Sequence, residues 1–202
     1  LFDPPHNMSF LNLKPGQKPI FFTLLAALIY FTAKFSSRQN YEFLMYIGVI
    51  AFFFILILAT NKKVNYSNTV LWGLVIWAIL HLSGGSFFPN GTLLYSTILV
   101  PLSETYQILK YDQFVHIVGF AVATLLAYEL LKPHLNKPTS ASIAIITIMA
   151  GLGIGALNEI VEFTAVVILP ETGVGGYINT SLDLVADLVG AVLAWIYIRL
   201  KA

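Results

Sequence analysis

The second half of the chain contains six ionisable residues whose types and spacing are those of a metal or catalytic site. They are Asp112, His116, Glu159, Glu162, Asp183 and Asp187. They form three pairs with separations of four, three and four residues, so the members of each pair would share one face of an α-helix. Carboxylates combined with an imidazole can bind Zn, Mn, Mg or Fe. A carboxylate that does not bind the metal can act as a general base.

The segments that carry these pairs are apolar enough to cross a membrane. The chain is 57% hydrophobic and 10% charged, with a mean hydropathy of +0.80, whereas soluble domains carry roughly 25% charged residues. Apolar runs predict about six membrane-spanning helices. These runs cover residues 20–35, 41–59, 70–82, 114–131, 141–169 and 182–200.

The predicted architecture is therefore an all-α, polytopic transmembrane bundle that forms one membrane domain over residues 1–202. A polar N-terminal segment covers 1–19, generic spans cover 20–102, and the motif-bearing spans lie within 103–202. Residues 92–102 are apolar but too short to cross a bilayer. They predict a re-entrant or interfacial segment, or alternatively a seventh, broken span.

Net charge and cysteine content exclude several classes of function. The net charge of +1 and the pI of about 8.1 provide no basic face for nucleic acid. The chain has no cysteine, which excludes disulfides, thiolate metal sites and cysteine nucleophiles. The lipid bilayer is the predicted partner, and other membrane subunits are an open alternative.

The distribution of basic residues predicts the orientation of the bundle. With six spans both termini lie on one side, and that side carries eight of the 11 lysines and arginines. Lys34, Arg38 and Lys110 lie on the opposite side. Because cytoplasmic loops are enriched in basic residues, we expect both termini to be cytoplasmic.

The same topology predicts that the ionisable pairs converge on the outer side. The fourth span begins there, the fifth ends there and the sixth begins there, and His81 near the end of the third span lies at a similar depth. Ionised carboxylates inside a membrane are costly unless they are paired, protonated or bound to a cation. We therefore expect one or two divalent ions at this cluster, with Glu159 or Glu162 as general base and His116 as a ligand or general acid.

Small residues accompany the acids on the same helix faces. Gly151 and Gly155 share a stripe with Glu159 on the fifth span, and Gly190 and Ala191 follow Asp187 on the sixth. Small residues allow membrane helices to approach closely. The acids are therefore expected to face the interior of the bundle.

Several of these residues also have ordinary structural interpretations. Asp183 could end a capping box that begins at Thr180, and Asp112 could be a favourable first-turn acid. His81 is expected to be an interfacial or core residue more than a ligand. Glu129 is expected to be a water-exposed acid at a helix end.

Three sequence motifs resemble those of a known family. They are Tyr111-Asp112-Gln113-Phe114-Val115-His116, then Ala156-Leu157-Asn158-Glu159-Ile160-Val161-Glu162, and then the segment 182–190 with Asp183 and Asp187. In this order they resemble the YjdF-like family of bacterial and archaeal membrane proteins, and more loosely the VanZ-like proteins. The first resemblance implies a prokaryotic membrane protein and no specific activity, because that family is itself uncharacterised. The second implies an association with cell-envelope chemistry.

Three functions fit these observations. The leading interpretation is a metal-dependent hydrolase or transferase that acts on a lipid or cell-envelope substrate at the outer face. A cation or proton pathway would use the same acids as a relay. A non-catalytic subunit or scaffold of a larger membrane complex would use the cluster as a structural ion site.

Overall fold

The computed structural model describes residues 13–103 and 105–201, and within them the chain forms six α-helices and no strand. The helices are α1 (Gln17–Ser37), α2 (Tyr41–Val64), α3 (Asn68–Gly84), α4 (Tyr111–Leu131), α5 (Ala141–Ile168) and α6 (Tyr177–Lys201). The all-helical bundle predicted from the sequence is thus confirmed. Residues 1–12 of the predicted polar N-terminal segment lie outside the described residues.

Side-chain caps mark where several helices begin. The side chains of Asn40, Ser67 and Ser140 each accept a hydrogen bond from the backbone N–H three residues later. Such caps satisfy backbone groups that have no partner within the helix. They fix the starts of α2, α3 and α5, each after a short connection.

Five of the six helices are long and apolar enough to cross a membrane. The exception is α3, an apolar helix of 17 residues, which extends about 25 Å and is shorter than the roughly 30 Å hydrocarbon layer. Large apolar side chains cover the outside of the bundle. On α2, for example, Phe52 and Ile55 are 62% and 64% exposed, as expected of side chains that face lipid.

Buried packing between helices occurs in two regions. An aliphatic and aromatic core joins α1, α2 and α3 and includes the fully buried Phe35 and Leu82. In the second half, α4 packs against α3, α5 and α6, and its most extensive contact is with α6. The central position of α4 brings the site-bearing helices together.

The segment between α3 and α4 is not a seventh span. Its helical parts are the three-residue turns Pro89–Gly91 and Leu94–Ser96, and an isolated antiparallel bridge pairs Ile98 with Lys110. Leu99 and Leu102 are 44% and 66% exposed. This apolar segment lies where α3 ends and α4 begins, which agrees with the interfacial interpretation.

Candidate functional site

Five of the six predicted site residues meet at one end of the bundle. Asp112 and His116 lie in the first two turns of α4, Glu159 lies in the last third of α5, and Asp183 and Asp187 lie in the first half of α6. Asp183 and Asp187 are 0% exposed and His116 is 5% exposed. The antiparallel order of the three helices produces this convergence.

The His116 ring lies at the centre of the cluster. Its Nδ1 atom lies 2.8 Å from Oδ1 of Asp187 and 4.0 Å from Oε1 of Glu159. Its Nε2 atom lies 3.9 Å from Oδ1 of Asp112. Because a carboxylate accepts the hydrogen bond, Nδ1–H of His116 donates to Asp187. The other nitrogen is then free to act as a ligand on the side of Asp112.

The cluster contains two groups of three potential metal ligands that share His116. One comprises Asp112, His116 and Asp183, and the other comprises His116, Glu159 and Asp187. Within each group, one ligand atom per residue lies within 4.8 Å of the others. A carboxylate that accepts from one nitrogen of a histidine while the other nitrogen binds metal is a common arrangement. This geometry favours the group with Asp112 and Asp183 as the ligands that accompany Nε2.

Buried carboxylate oxygens in the cluster are left without hydrogen-bond partners. These atoms are Oδ1 of Asp183, Oδ2 of Asp187 and both side-chain oxygens of Glu159. Within residues 13–103 and 105–201, no lysine or arginine nitrogen lies within 4.0 Å of these oxygens. Buried anionic oxygens require a proton or a cation, so the donor set is suited to a metal ion.

Asn179 connects the two carboxylates that flank Nε2 of His116. Its Nδ2 atom donates to Oδ2 of Asp183 at 2.5 Å and to Oδ2 of Asp112 at 3.2 Å. Its own Oδ1 accepts from Nζ of Lys110 at 2.8 Å. These hydrogen bonds occupy the Oδ2 atom of each aspartate and leave the Oδ1 atoms available.

Asn179 was not among the predicted site residues, because the apolar run that predicts the sixth span begins only at residue 182. In the structure α6 begins at Tyr177, and Asn179 lies one turn before Asp183 on the same face. The capping-box interpretation of Asp183 is therefore wrong, since Thr180 already lies within the helix. The spacing of four residues between Asn179 and Asp183 was the signal in the sequence.

Glu162 occupies a different place from the other five predicted residues. It lines a cavity of about 240 Å³ at the same end of the bundle, together with Asp112, His81 and Tyr46. Its Oε1 atom accepts from Nδ2 of Asn158 at 2.9 Å. The spacing of three residues on α5 thus separates Glu159, which packs against His116, from Glu162, which borders the cavity.

Glu42 is a second residue at this end of the bundle that the sequence did not indicate. It lines the cavity, accepts from the backbone N–H of Gly173 at 2.6 Å and accepts from the hydroxyl of Tyr46 at 3.2 Å. These contacts hold the connection between α5 and α6 against the start of α2. Because Glu42 and Gly173 are 131 residues apart, no local pattern could reveal their contact.

His81 packs among aromatic rings beside the cavity. Its ring lies within 6 Å of those of Phe43, Tyr46 and Trp77, and its Nδ1 atom lies 2.6 Å from the hydroxyl of Tyr95. Burial raises the pKa of Tyr95 well above its ordinary value, so the neutral phenol donates to His81. This placement agrees with the interpretation of His81 as a core histidine.

Glu129 was expected to be a water-exposed acid and is instead half-buried. Its Oε2 atom accepts from the backbone N–H of Ser67 at 3.1 Å, immediately before α3 begins. This contact ties α4 to α3 at the end of the bundle opposite the cluster. The expectation failed because the partner is a backbone group distant in sequence.

Glycines allow the site-bearing helices to approach. A Cβ atom at Gly155 would overlap the carboxylate of Asp187, and one at Gly190 would overlap the backbone carbonyl of Ile117. A Cβ atom at Gly151 would overlap the hydroxyl of Thr124. The small-residue stripes predicted on α5 and α6 thus lie at close contacts with neighbouring helices.

Comparison with known proteins places the chain in a family. The family model described as predicted membrane protein (DUF2238) matches residues 18–201. This match is consistent with the resemblance to YjdF-like proteins and gives no support to the looser similarity to VanZ-like proteins. No curated protein and no solved structure matches the chain. Because the matched region covers nearly the whole sequence, the chain belongs to the DUF2238 family of predicted membrane proteins.

Proposed function

We propose that this protein is a membrane-embedded, metal-dependent hydrolase or transferase. Its divalent cation would be held by Asp112, by Nε2 of His116 and by Asp183. The observation that carries this proposal is the unpartnered Oδ1 of the fully buried Asp183, beside a histidine whose other nitrogen is occupied by Asp187. Two carboxylates balance a divalent charge, and one nitrogen with two oxygens suits Zn, Mn or Fe more than Ca.

Glu162 is the best-supported candidate for the general base. It shares the cavity with the ligand Asp112, whereas Glu159 packs against His116. In hydrolysis, a water in the cavity would transfer a proton to Glu162 while its oxygen bonds to the electrophilic centre of the substrate. The bond between that centre and the leaving oxygen would break, and the leaving oxygen would take up the proton from Glu162, which restores the carboxylate. The cation would supply Lewis-acid activation.

The surroundings of the cavity support a substrate at the membrane surface. The cavity is lined by residues at helix ends, including Lys110, and by the connection between α5 and α6. The exposed apolar segment around Leu99 and Leu102 lies beside the cavity, in the connection between α3 and α4. A lipid or cell-envelope ester could place its reactive polar group in the cavity and its apolar part against the bilayer.

The alternative of a cation or proton pathway has less support. The sequences of α4, α5 and α6 contain no acidic, basic or histidine side chain between the cluster and the opposite end of the bundle, where Glu129 and Arg199 lie. A relay through the bundle would need further polar steps. A scaffold would not require the cavity or Glu162. The effect of a Glu162 substitution on activity therefore distinguishes the enzyme from the scaffold.

Metal analysis combined with substrate turnover tests the proposal. Purified protein loaded with Mn²⁺ or Zn²⁺ would be incubated with a panel of phospholipids and isoprenyl diphosphates, and products would be detected by mass spectrometry. We expect turnover by the wild type and metal retention without turnover by Glu162→Gln. Asp183→Asn should lose the cation held by Asp112, His116 and Asp183 and should bind less metal than the wild type. Glu171→Gln, which alters an exposed carboxylate, is the matched control. A metal content in Asp183→Asn equal to that of the wild type would contradict the assignment of ligands.

A further inference from the structure

The cluster contains more buried carboxylates than one divalent cation can balance. If the proposed cation is bound by Asp112, His116 and Asp183, it balances the charges of the two aspartates. Asp187 and Glu159 remain, with side chains that are 0% and 9% exposed. Asp187 receives one hydrogen bond from His116, and a neutral histidine adds no charge.

The oxygens that remain unpartnered lie on the far side of His116 from the proposed first cation. They are Oδ2 of Asp187 and both oxygens of Glu159. One oxygen from each residue lies within 4.8 Å of the other, which is within reach of one cation after small adjustments. Asn158 and Thr180 are the neighbouring polar side chains. Neither donates to Glu159 in normal hydrogen-bond geometry.

We infer that Glu159 and Asp187 form a second cation site, separate from the first and built from oxygen ligands alone. This inference rests on the proposed function, because the first cation defines which carboxylates remain unbalanced. Nδ1 of His116 is not a ligand of the second cation, since its proton is donated to Asp187. An oxygen-only site favours a hard cation such as Mg²⁺, Mn²⁺ or Ca²⁺.

The hydrogen bond between His116 and Asp187 would couple the two sites. Asp187 would bind the second cation through Oδ2 while Oδ1 orients the histidine ligand of the first. Gly155 provides the space that this carboxylate occupies, because a Cβ atom there would overlap it. Binding at one site would therefore restrict the position of a ligand of the other.

A titration with Mn²⁺ tests the inference on the full chain in detergent. Metal-free protein would be titrated while the electron paramagnetic resonance signal of free Mn²⁺ is recorded, and bound metal would be counted by elemental analysis. We expect two Mn²⁺ per chain in the wild type and in the control Glu171→Gln. We expect one in Glu159→Gln, which should lose the second site, and one in Asp183→Asn, which should lose the first. Glu159→Asp, which keeps the carboxylate on a shorter side chain, should weaken the second binding event, because its oxygens no longer reach as far into the site.

The possible outcomes distinguish the two proposals. One Mn²⁺ in both the wild type and Glu159→Gln would overturn the second site and leave the first intact. Two in both would show that the second ion binds elsewhere, which also overturns the inference. No bound Mn²⁺ in the wild type would overturn the proposed function together with the inference. Should Glu159→Gln fail to fold, an unchanged second affinity in Glu159→Asp would overturn the second site.

Discussion

At the scale of single residues, the two nitrogens of His116 have different surroundings. Nδ1 lies 2.8 Å from Asp187, and Nε2 lies on the side of Asp112. This asymmetry divides the predicted ligands into two sets. Sequence spacing grouped all six ionisable residues together, because it fixes which residues share a helix face but not which atoms of a ring they meet.

Removal of the hydrogen-bond acceptor from Asp187 should weaken the proposed first cation site. We expect Asp187→Ala to lower the affinity for Zn²⁺ by about 10- to 100-fold, because His116 loses the group that orients it. Asp187→Asn keeps an acceptor oxygen and should lose less. Competition with a chromophoric chelator measures both affinities. Equal affinities for Asp187→Ala and the control Glu171→Gln would contradict the orienting role.

At the scale of helices, close approach between α4 and α6 holds the site together. Gly190 of α6 lies against the backbone of α4 at Ile117 and Ala121, between the cluster and the opposite end of the bundle. The two helices can approach this closely because glycine has no side chain at position 190. A helix that moved outward here would carry Asp183 and Asp187 away from His116.

Addition of a methyl group at this contact should destabilise the bundle. We expect Gly190→Ala to lower the free energy of unfolding by about 1–3 kcal/mol, because the added carbon overlaps backbone atoms that cannot rotate away. Gly153→Ala is the matched control, since its Cβ atom would have no neighbour within 4 Å. The control should be neutral or stabilising by up to about 1 kcal/mol. Thermal unfolding in detergent compares the two, and equal melting temperatures would refute the packing argument.

The helices were easier to predict from sequence than their starts and their distant contacts. The apolar runs and the alternating direction of the helices were enough to predict that Asp112, Glu159 and Asp183 lie at one end of the bundle. The start of α6 was misplaced because three polar residues at 179–181 separate Ile178 from the apolar run that begins at 182, so hydropathy does not include residues 177–181 in a span. As a result, Asn179 was missed. The contact of Glu42 with Gly173 depends on tertiary packing and has no local signature.

At the scale of the whole molecule, the cluster and the cavity lie at the end of the bundle opposite most of the basic residues. We expect this end to face outward, because lysine and arginine favour the cytoplasmic side. The absence of native cysteine allows single-cysteine labelling with an impermeant maleimide. Cysteines at Lys63, which is exposed, and at Gly176, where a side chain meets no neighbour within 4 Å, report on opposite ends.

In intact cells, the cysteine at Gly176 should react with the maleimide and the cysteine at Lys63 should be protected. After permeabilisation both should react, which controls for accessibility. Reaction of only the Lys63 variant in intact cells would invert the orientation. Reaction of both would contradict the placement of these two positions on opposite sides of the membrane.

Removal of metal should destabilise the whole molecule, because the cluster joins three helices through charges that the proposed cation would balance. A ligand that binds only the folded state stabilises it by about 2.7 kcal/mol when present at 100 times its dissociation constant. We expect a chelator to lower the melting temperature of metal-loaded wild type at pH 7, and re-addition of Mn²⁺ to restore it. Asp183→Asn should respond less to the chelator than the wild type, because it has lost one of the two proposed sites. Without metal it should unfold at a higher temperature than the metal-free wild type, because one buried carboxylate charge has been removed. A wild-type melting curve that does not respond to chelation, in protein shown by elemental analysis to have lost its metal, would mean that the carboxylates are neutralised in another way.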